Sequence, residues 1–405
     1  MIPKKILPIL LGEALEAYDF LLYGLLAVYF SKIFFPSDST NALNFSFTLF
    51  AVAYIARPIG SIFWGHIADK YGRKPVLMGT LSLMAVPAVG MAIMPSYETI
   101  GLSATLLIVM LRFLQGIAFG GETPTVMVSL YETAPLDKKG FYGSFYNPGA
   151  LVGFLLGIIL IICLNLTIGE QAIQRYGWRI MFAFSIIFIV ILGYLRSKLV
   201  ETSTISNTNF TPVKITLKQD LFVILKIVLF ISCGTAMYYN LLFHNYLIIN
   251  AADFGVKTNF AHGFIVLFTI ILLPITGFIS DKIDKIKLLT YGYIVIALSA
   301  PFLYQMFLSK DFPMMVLGYF VFAILTSIPC ALFPSIVVPQ ASENCRVTTI
   351  GIAFGISVIS GSFIPVINEL LKNMTGNVLS PAFLIVICAM ISLITLHTFN
   401  KERIK

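Results

Sequence analysis

The stretch ARPIGSIFWGHIADKYGRKP, residues 56–75, decides how the chain folds. It sets a dense charge cluster between two long apolar runs. Asp69 closes the first run, Gly72 permits a tight reversal, and Lys70, Arg73 and Lys74 supply hydrogen-bond donors. Pro75 then enters the next helix in its first turn, where the missing N–H costs nothing. Two apolar helices must therefore reverse direction within a few residues. Taken alone, the stretch also fits an ordinary positively charged loop on the cytoplasmic side of a membrane.

With 405 residues, 58% of them hydrophobic and 11% charged, the chain has too little polar surface for soluble domains of that size. Its mean hydropathy of +0.91 fits a protein that crosses a membrane many times. A net charge of +8 could serve nucleic acid, but most of the cations lie in short loops between apolar runs, where a membrane accounts for them. The opening MIPKK (1–5) and the apolar run behind it look like a signal peptide. Glu13, Glu16 and Asp19 interrupt that run and no small-residue cleavage site follows, so it reads as a retained first helix. Cys163, Cys233, Cys330, Cys345 and Cys388 stand singly in or beside apolar segments and imply neither a disulfide frame nor a zinc site.

A spanning helix needs about 20 apolar residues. Twelve such runs fall near 6–34, 43–67, 76–94, 101–131, 141–167, 178–198, 221–249, 259–280, 287–308, 313–338, 346–371 and 379–399. With the amino terminus in the cytoplasm, 18 cations, Lys4, Lys5 and Arg196 among them, fall inside and 5 outside, which favours both termini inside. The expected fold is an all-α membrane protein of two pseudo-symmetric six-helix bundles. The longest polar stretch, from Val200 to Asp220, divides it into an amino-terminal bundle (1–199), a cytoplasmic linker (200–220) and a carboxy-terminal bundle (221–405).

The halves carry an internal echo: GFISDKIDK (277–285) repeats GHIADKYGR (65–73) after 212 residues, with Asp284 where Gly72 stood. Repeats of this length in a membrane protein point to a transporter. Glycines recur four apart at Gly116 and Gly120, at Gly149, Gly153 and Gly157, and at Gly351 and Gly355. Such ridges let helix backbones approach closely, as static packing or as a sliding seam between bundles.

Each ionisable group deep in a bilayer costs about 2.5 to 3.5 kcal/mol even on lenient scales, so each is a candidate functional residue. Gly12, Glu16, Asp19 and Tyr23 fall on one stripe of the first helix, with Glu13 on its flank. At about 1.5 Å per residue from Lys5, Glu16 lies roughly 16 Å deep, near the midplane. In the fourth run, Arg112 is also near the midplane, and Gln115 and Glu122 share a face seven residues apart. Arg112 cannot lose its charge and must be paired or bound to a substrate anion, with Glu16 or Asp19 as the natural partner. The carboxylates could equally serve only to hold the bundle together.

The spacing from Gly65 through Asp69 to Gly72, Arg73 and Lys74 resembles the signature between the second and third helices of the major facilitator superfamily. The resemblance narrows with Gly12, Glu16, Tyr18, Asp19 and Phe20, with Arg57-Pro58-Ile59-Gly60, with Arg112, Gln115 and Gly116 followed by Gly120-Gly121-Glu122, with KGFYGS (139–144), and with GWRI (177–180). These stand in the order seen in bacterial metabolite:proton symporters, a group resembling the proline/betaine, α-ketoglutarate, shikimate and citrate carriers. The match is strong over the first six helices and thin afterwards. Glu13 stands where relatives usually have Asn, and Ala17 where they have an aromatic residue.

The resemblance implies a proton-coupled transporter of the inner membrane, with two bundles rocking about a central site. Glu16, Asp19, Glu122 and Glu13 are the proton-coupling candidates. Glu16, Asp19, Tyr23, Arg112 and Gln115 would meet substrate, joined from the seventh run by Tyr238, Tyr239, Asn240 and His244. Asp69, Arg73 and Lys74, with Asp281 and Lys285, would latch the cytoplasmic side. The few deep cations favour a zwitterion such as an amino acid or betaine over an α-ketoglutarate-like acid. No cofactor or metal is expected, the partners are a small molecule, a proton and lipid, and a monomer suffices. Four scattered histidines do not make an enzyme site. Asn147-Pro148-Gly149 is only a partial likeness to a drug exporter's glycine-proline-glycine signature, and no loss of hinge or deep charges suggests a receptor.

Overall fold

The computed structural model describes residues 7–35, 42–199, 201, 211–249 and 256–403. Lys4, Lys5, linker residues 200 and 202–210 and the side chain of His244 lie outside the described residues. Among those described, twelve long helices stand where the apolar runs place them. They are α1 (Leu7–Ile33), α2 (Ala42–Tyr71), α3 (Arg73–Ile93), α4 (Leu102–Thr133), α5 (Tyr146–Ala172) and α6 (Trp178–Ser197), then α7 (Leu221–Ile249), α8 (Val256–Ser280), α9 (Lys285–Phe307), α10 (Phe312–Val337), α11 (Arg346–Ser362) and α12 (Ser380–Leu396). After Phe363, α11 resumes as Ile364–Thr375, because Pro365 has no N–H for the helical ladder. By length and composition, eight of the described helical segments are apolar enough to cross a membrane. The protein is an all-α membrane protein.

Contacts divide the chain into two compact units. One holds Met1–Ser129 and Gly149–Lys214; the other holds Leu130–Pro148 and Ile215–Lys405. The short helix Lys139–Gly143 and the start of α5 thus belong with the second unit.

In the first unit the glycine ridges are packing surfaces. A Cβ on Gly120 would strike the Arg57 carbonyl of α2, and one on Gly153 would strike the Ala14 carbonyl of α1. Those two ridges pack inside this unit, α4 on α2 and α5 on α1, which is the static alternative of the two open in the sequence. The turn between α2 and α3 needs Gly72 for a different reason. Its φ of 105° lies where a side chain is strained.

Prolines inside the helices leave carbonyls that neighbouring helices must satisfy. Pro124 cannot donate to the Gly120 oxygen, and Ser61 Oγ of α2 donates to it instead, at 2.7 Å. In the second unit Pro334 leaves the Cys330 oxygen open, and Asn147 Nδ2 donates to it at 3.2 Å. Each proline is tolerated because a polar side chain stands opposite the gap.

Ser61→Ala is therefore expected to destabilise the protein by about 1 kcal/mol, whereas the same change in a Pro124→Ala background, where the helix supplies its own amide, is expected to cost much less. Thermal unfolding of the four proteins in detergent completes the cycle; equal Ser61→Ala effects in both backgrounds would refute the pairing.

Candidate functional site

The acidic stripe of α1 is buried in the first unit, and its members have different surroundings. Asp19 accepts a hydrogen bond from Ser185 Oγ of α6 at 2.7 Å and another, short one from Gln115 Nε2 of α4. Arg112 Nη1 in turn donates to Gln115 Oε1 at 2.7 Å and to the Phe20 carbonyl at 3.2 Å. Arg112 therefore reaches Asp19 through the amide of Gln115. The guanidinium also lies 4.4 Å from the Tyr23 ring centroid, so four sequence-predicted residues, Asp19, Tyr23, Arg112 and Gln115, share one region, and Glu16 belongs with the neighbouring cluster.

About two turns along α4 from Gln115, Glu122 forms a fully buried ion pair with Arg196. Thr80 Oγ1 donates to Glu122 at 2.6 Å, and Arg196 Nη1 donates to the Leu77 carbonyl at 2.6 Å, so α3, α4 and α6 meet at this pair. Gly12 of α1 packs on it directly, since a Cβ there would collide with the Arg196 guanidinium. Glu13 accepts from Thr123 Oγ1 at 3.1 Å. Glu16 lies within electrostatic range of Glu122, Arg196, Glu13 and Arg57, and neither of its oxygens has a hydrogen-bond partner among the described residues.

Arg196, counted in the sequence with the cations of the inner side, is a buried member of the bundle. Arg196 belongs to the buried face of α6 that also carries Met181, Phe182, Ser185 and Leu192. The signal was its spacing: 11 residues, close to three whole turns, separate Arg196 from Ser185.

At the hinge, Asp69 pairs with Arg73 at 3.5 Å. Glu201, which sequence reasoning passed over, accepts from the backbone amides of Arg73 (2.9 Å) and Lys74 (3.1 Å), and Lys74 Nζ donates to the Ser197 carbonyl at 2.8 Å. A carboxylate on the first amides of α3 satisfies orphan donors and complements the helix dipole.

In the second unit, Asp281 accepts from the amides of Gly140 (2.7 Å) and Phe141 (2.8 Å), with Lys285 at 3.9 Å. Burial raises the Asp281 carboxyl above its ordinary value, against the pull of both amides and Lys285. Asp284 caps α9, accepting from the amides of Ile286 and Lys287. Arg346 pairs with Glu132 at 3.6 Å, a second contact of the 130–148 segment that the sequence left open. Asn240 is engaged with its own unit: Tyr304 Oη and Asn368 Nδ2 donate to its oxygen at 2.8 and 2.9 Å. Tyr239 is buried against Gly361 and Tyr238 is half-buried beside it. Among the described residues no cluster of His, Cys, Asp and Glu could hold a metal ion.

A family model described as Major Facilitator Superfamily matches residues 9–365. The chain belongs to the Major Facilitator Superfamily. It is a transporter of that superfamily and not an enzyme. Among curated relatives, it is 27% identical over 425 residues to the glycine betaine/proline/ectoine/pipecolic acid transporter OusA of Dickeya dadantii, covering 98% of this chain and 83% of the relative. It is 26% identical over 416 residues to the proline/betaine transporter of Escherichia coli K12, covering 97% and 82%. Among solved structures, the proton:xylose symporter XylE bound to 6-bromo-6-deoxy-D-glucose matches with a TM-score of 0.74 at 16% identity, over 97% of this chain and 94% of that one. That likeness is one of fold.

Removing one partner of a buried ion pair strands the other charge. Arg196→Gln is expected to cost about 3 to 5 kcal/mol of stability, and Arg196→Gln with Glu122→Gln distinctly less than the single change. Melting temperatures of purified variants decide this, and a double variant less stable than either single one would contradict the pairing.

Proposed function

We propose that the chain is a proton-coupled symporter importing a small zwitterion, an amino acid or betaine, by alternating access. One observation carries the proton site: Glu16 is buried with neither oxygen hydrogen-bonded among the described residues, beside the carboxylates Glu13 and Glu122. Arg196 is committed to Glu122, and Glu13 has Thr123. A bare carboxylate in such a place costs several kcal/mol, whereas a neutral acid costs far less. Glu16 is thus the group that takes up and releases the proton, with Asp19, Glu13 and Glu122 as its surroundings.

The substrate class follows from charge. Apart from the hinge pair of Asp69 and Arg73, the first unit buries four carboxylates, Glu13, Glu16, Asp19 and Glu122, against three guanidiniums, Arg57, Arg112 and Arg196. With Glu16 protonated, three carboxylates balance the three guanidiniums, so no net positive charge is left to hold a dicarboxylate, and a zwitterion asks for none. OusA and the Escherichia coli relative are both named as transporters of betaine and proline, which supports this reading. The two bundles, 1–199 and 221–405, joined by the linker 200–220, move as bodies in a cell inner membrane with both termini cytoplasmic, and a monomer performs the cycle. Asp69, Arg73 and Lys74, with Asp281 and Lys285, latch and release helix ends during it. Tyr23, Arg112 and Gln115 contact substrate from the first unit, and Tyr238, Tyr239, Asn240 and His244 are the candidates from the second.

Proteoliposomes given radiolabelled proline or betaine with an inward proton gradient are expected to accumulate it, and Glu16→Gln is expected to abolish accumulation while leaving substrate exchange across the membrane. Unchanged gradient-driven accumulation in Glu16→Gln would sink the assignment of Glu16. Uptake of α-ketoglutarate alone would overturn the charge reasoning.

A further inference from the structure

Outside the hinge, Arg57 is the third buried guanidinium of the first unit, and its side-chain contacts are with aromatic rings. Its Cζ lies 3.9 Å from the centroid of Phe119, 4.4 Å from that of Phe20 and 4.5 Å from that of Tyr54. The rings come from three helices, Phe20 from α1, Tyr54 from α2 and Phe119 from α4, and all three are buried. Phe20 meets Tyr54 edge-on at 4.9 Å and is stacked on Phe119 at 5.0 Å and 20°, and it also lies 4.7 Å from the Arg112 guanidinium, so Arg57 and Arg112 share this ring. Arg57 Nε has no hydrogen-bond partner among the described residues. Glycines on α4 let the walls close, for Gly116 and Gly120 sit against the carbonyls of Ala53 and Arg57.

Three ring faces around one cation form a site with a definite chemistry. Aromatic faces attract weakly hydrated, delocalised cations, and their specialised use is the recognition of quaternary ammonium groups. A guanidinium and a trimethylammonium group are both bulky cations that lose little hydration on entering such a box. Exchanging one for the other leaves the rings in contact with a positive charge throughout.

We propose that the box formed by Phe20, Tyr54 and Phe119 is the ammonium subsite for a quaternary or heavily N-methylated zwitterion, and that Arg57 occupies it as an internal stand-in. The N-methylated head of the substrate takes the place of the guanidinium, and the displaced Arg57 pairs with the substrate carboxylate. The subsite therefore rewards N-methylation, because each methyl group adds ring contact and removes an N–H that the rings cannot satisfy as well as water does. This inference rests on the zwitterion reading above and narrows it to one class of ammonium.

The test uses the full chain in proteoliposomes and compares the KM for radiolabelled N-methylglycine with that for N,N,N-trimethylglycine. In the wild type the trimethylated compound is expected to have the lower KM. Phe119→Leu is expected to raise its KM about tenfold, the equivalent of one desolvated cation–π contact, with little change for N-methylglycine, and Phe119→Tyr to restore the preference. The readout is a ratio within each variant, so it does not depend on how much protein assembles. Tyr54→Leu, at another wall of the box, is read in the same way where Phe119→Leu does not reach the membrane. A wild type without preference between the two compounds, or leucine variants that shift both KM values equally, would overturn the subsite and leave the symport reading standing. A wild type that transports neither compound, nor proline, would overturn both.

Discussion

A guanidinium cannot shed its charge inside a bilayer, and that constraint arranges the first unit. Its three buried arginines outside the hinge rest on different sets of partners. Arg196 takes a carboxylate, Glu122, with Thr80 and the Leu77 carbonyl completing the shell. Arg112 takes the Gln115 amide and the Phe20 carbonyl, and passes its influence to Asp19 through that amide. Arg57 takes ring faces. Five helices, α1, α2, α3, α4 and α6, are drawn together by these needs, and the acidic stripe of α1 lies among them with one carboxyl, Glu16, without a hydrogen-bond donor among the described residues. A chain that only needed a stable bundle would gain by exchanging such groups for apolar ones of equal volume. Their presence is the physical reason to place function here.

The same economy of polar groups governs the backbone. Ser61 and Asn147 each answer a carbonyl that a proline has opened, and Glu201 answers amides at the start of α3. Hydrocarbon offers no water to do this, so a helix may be broken only where another helix supplies the missing partner. Prolines and their polar answers therefore mark positions where helices are held together and are also locally loosened.

Much of this was legible in the sequence, and the boundary of what was legible is physical. Twelve apolar runs give twelve helices because length and hydropathy are local properties. The stripe from Gly12 to Tyr23 follows from helical periodicity, and the cost of charge in lipid points Arg112 to Glu16 or Asp19, whereas it reaches Asp19 only through the amide of Gln115. Arg196 stands at the end of an apolar run, where the positive-inside rule counts cations without asking which way they face, and its burial against Glu122 is visible only once α4 is placed beside α6. Glu201 sits in a polar stretch that looks featureless until α3 is placed beside it. The box around Arg57 draws its rings from positions 20, 54 and 119, and no pattern within one helix predicts that three helices aim aromatic faces at the same point. Asn240 was grouped with the seventh helix's aromatic residues by proximity in sequence, whereas its hydrogen bonds run to Tyr304 and Asn368, far along the chain.

On the proposed reading, the charge ledger also determines what moves across the membrane. A zwitterion brings one cation and one anion, and the box that receives its ammonium gives up a cation in return, so binding leaves the net charge of the unit where it was. The proton on Glu16 is then the one uncompensated charge in the cycle. Carried inward, it is driven by the membrane potential as well as by the pH difference, at about 2.3 kcal/mol per charge for each 100 mV. A substrate with net charge would add to or oppose that drive. A neutral one leaves all of it to the proton, and a buried acid without a fixed partner is the simplest device for collecting it.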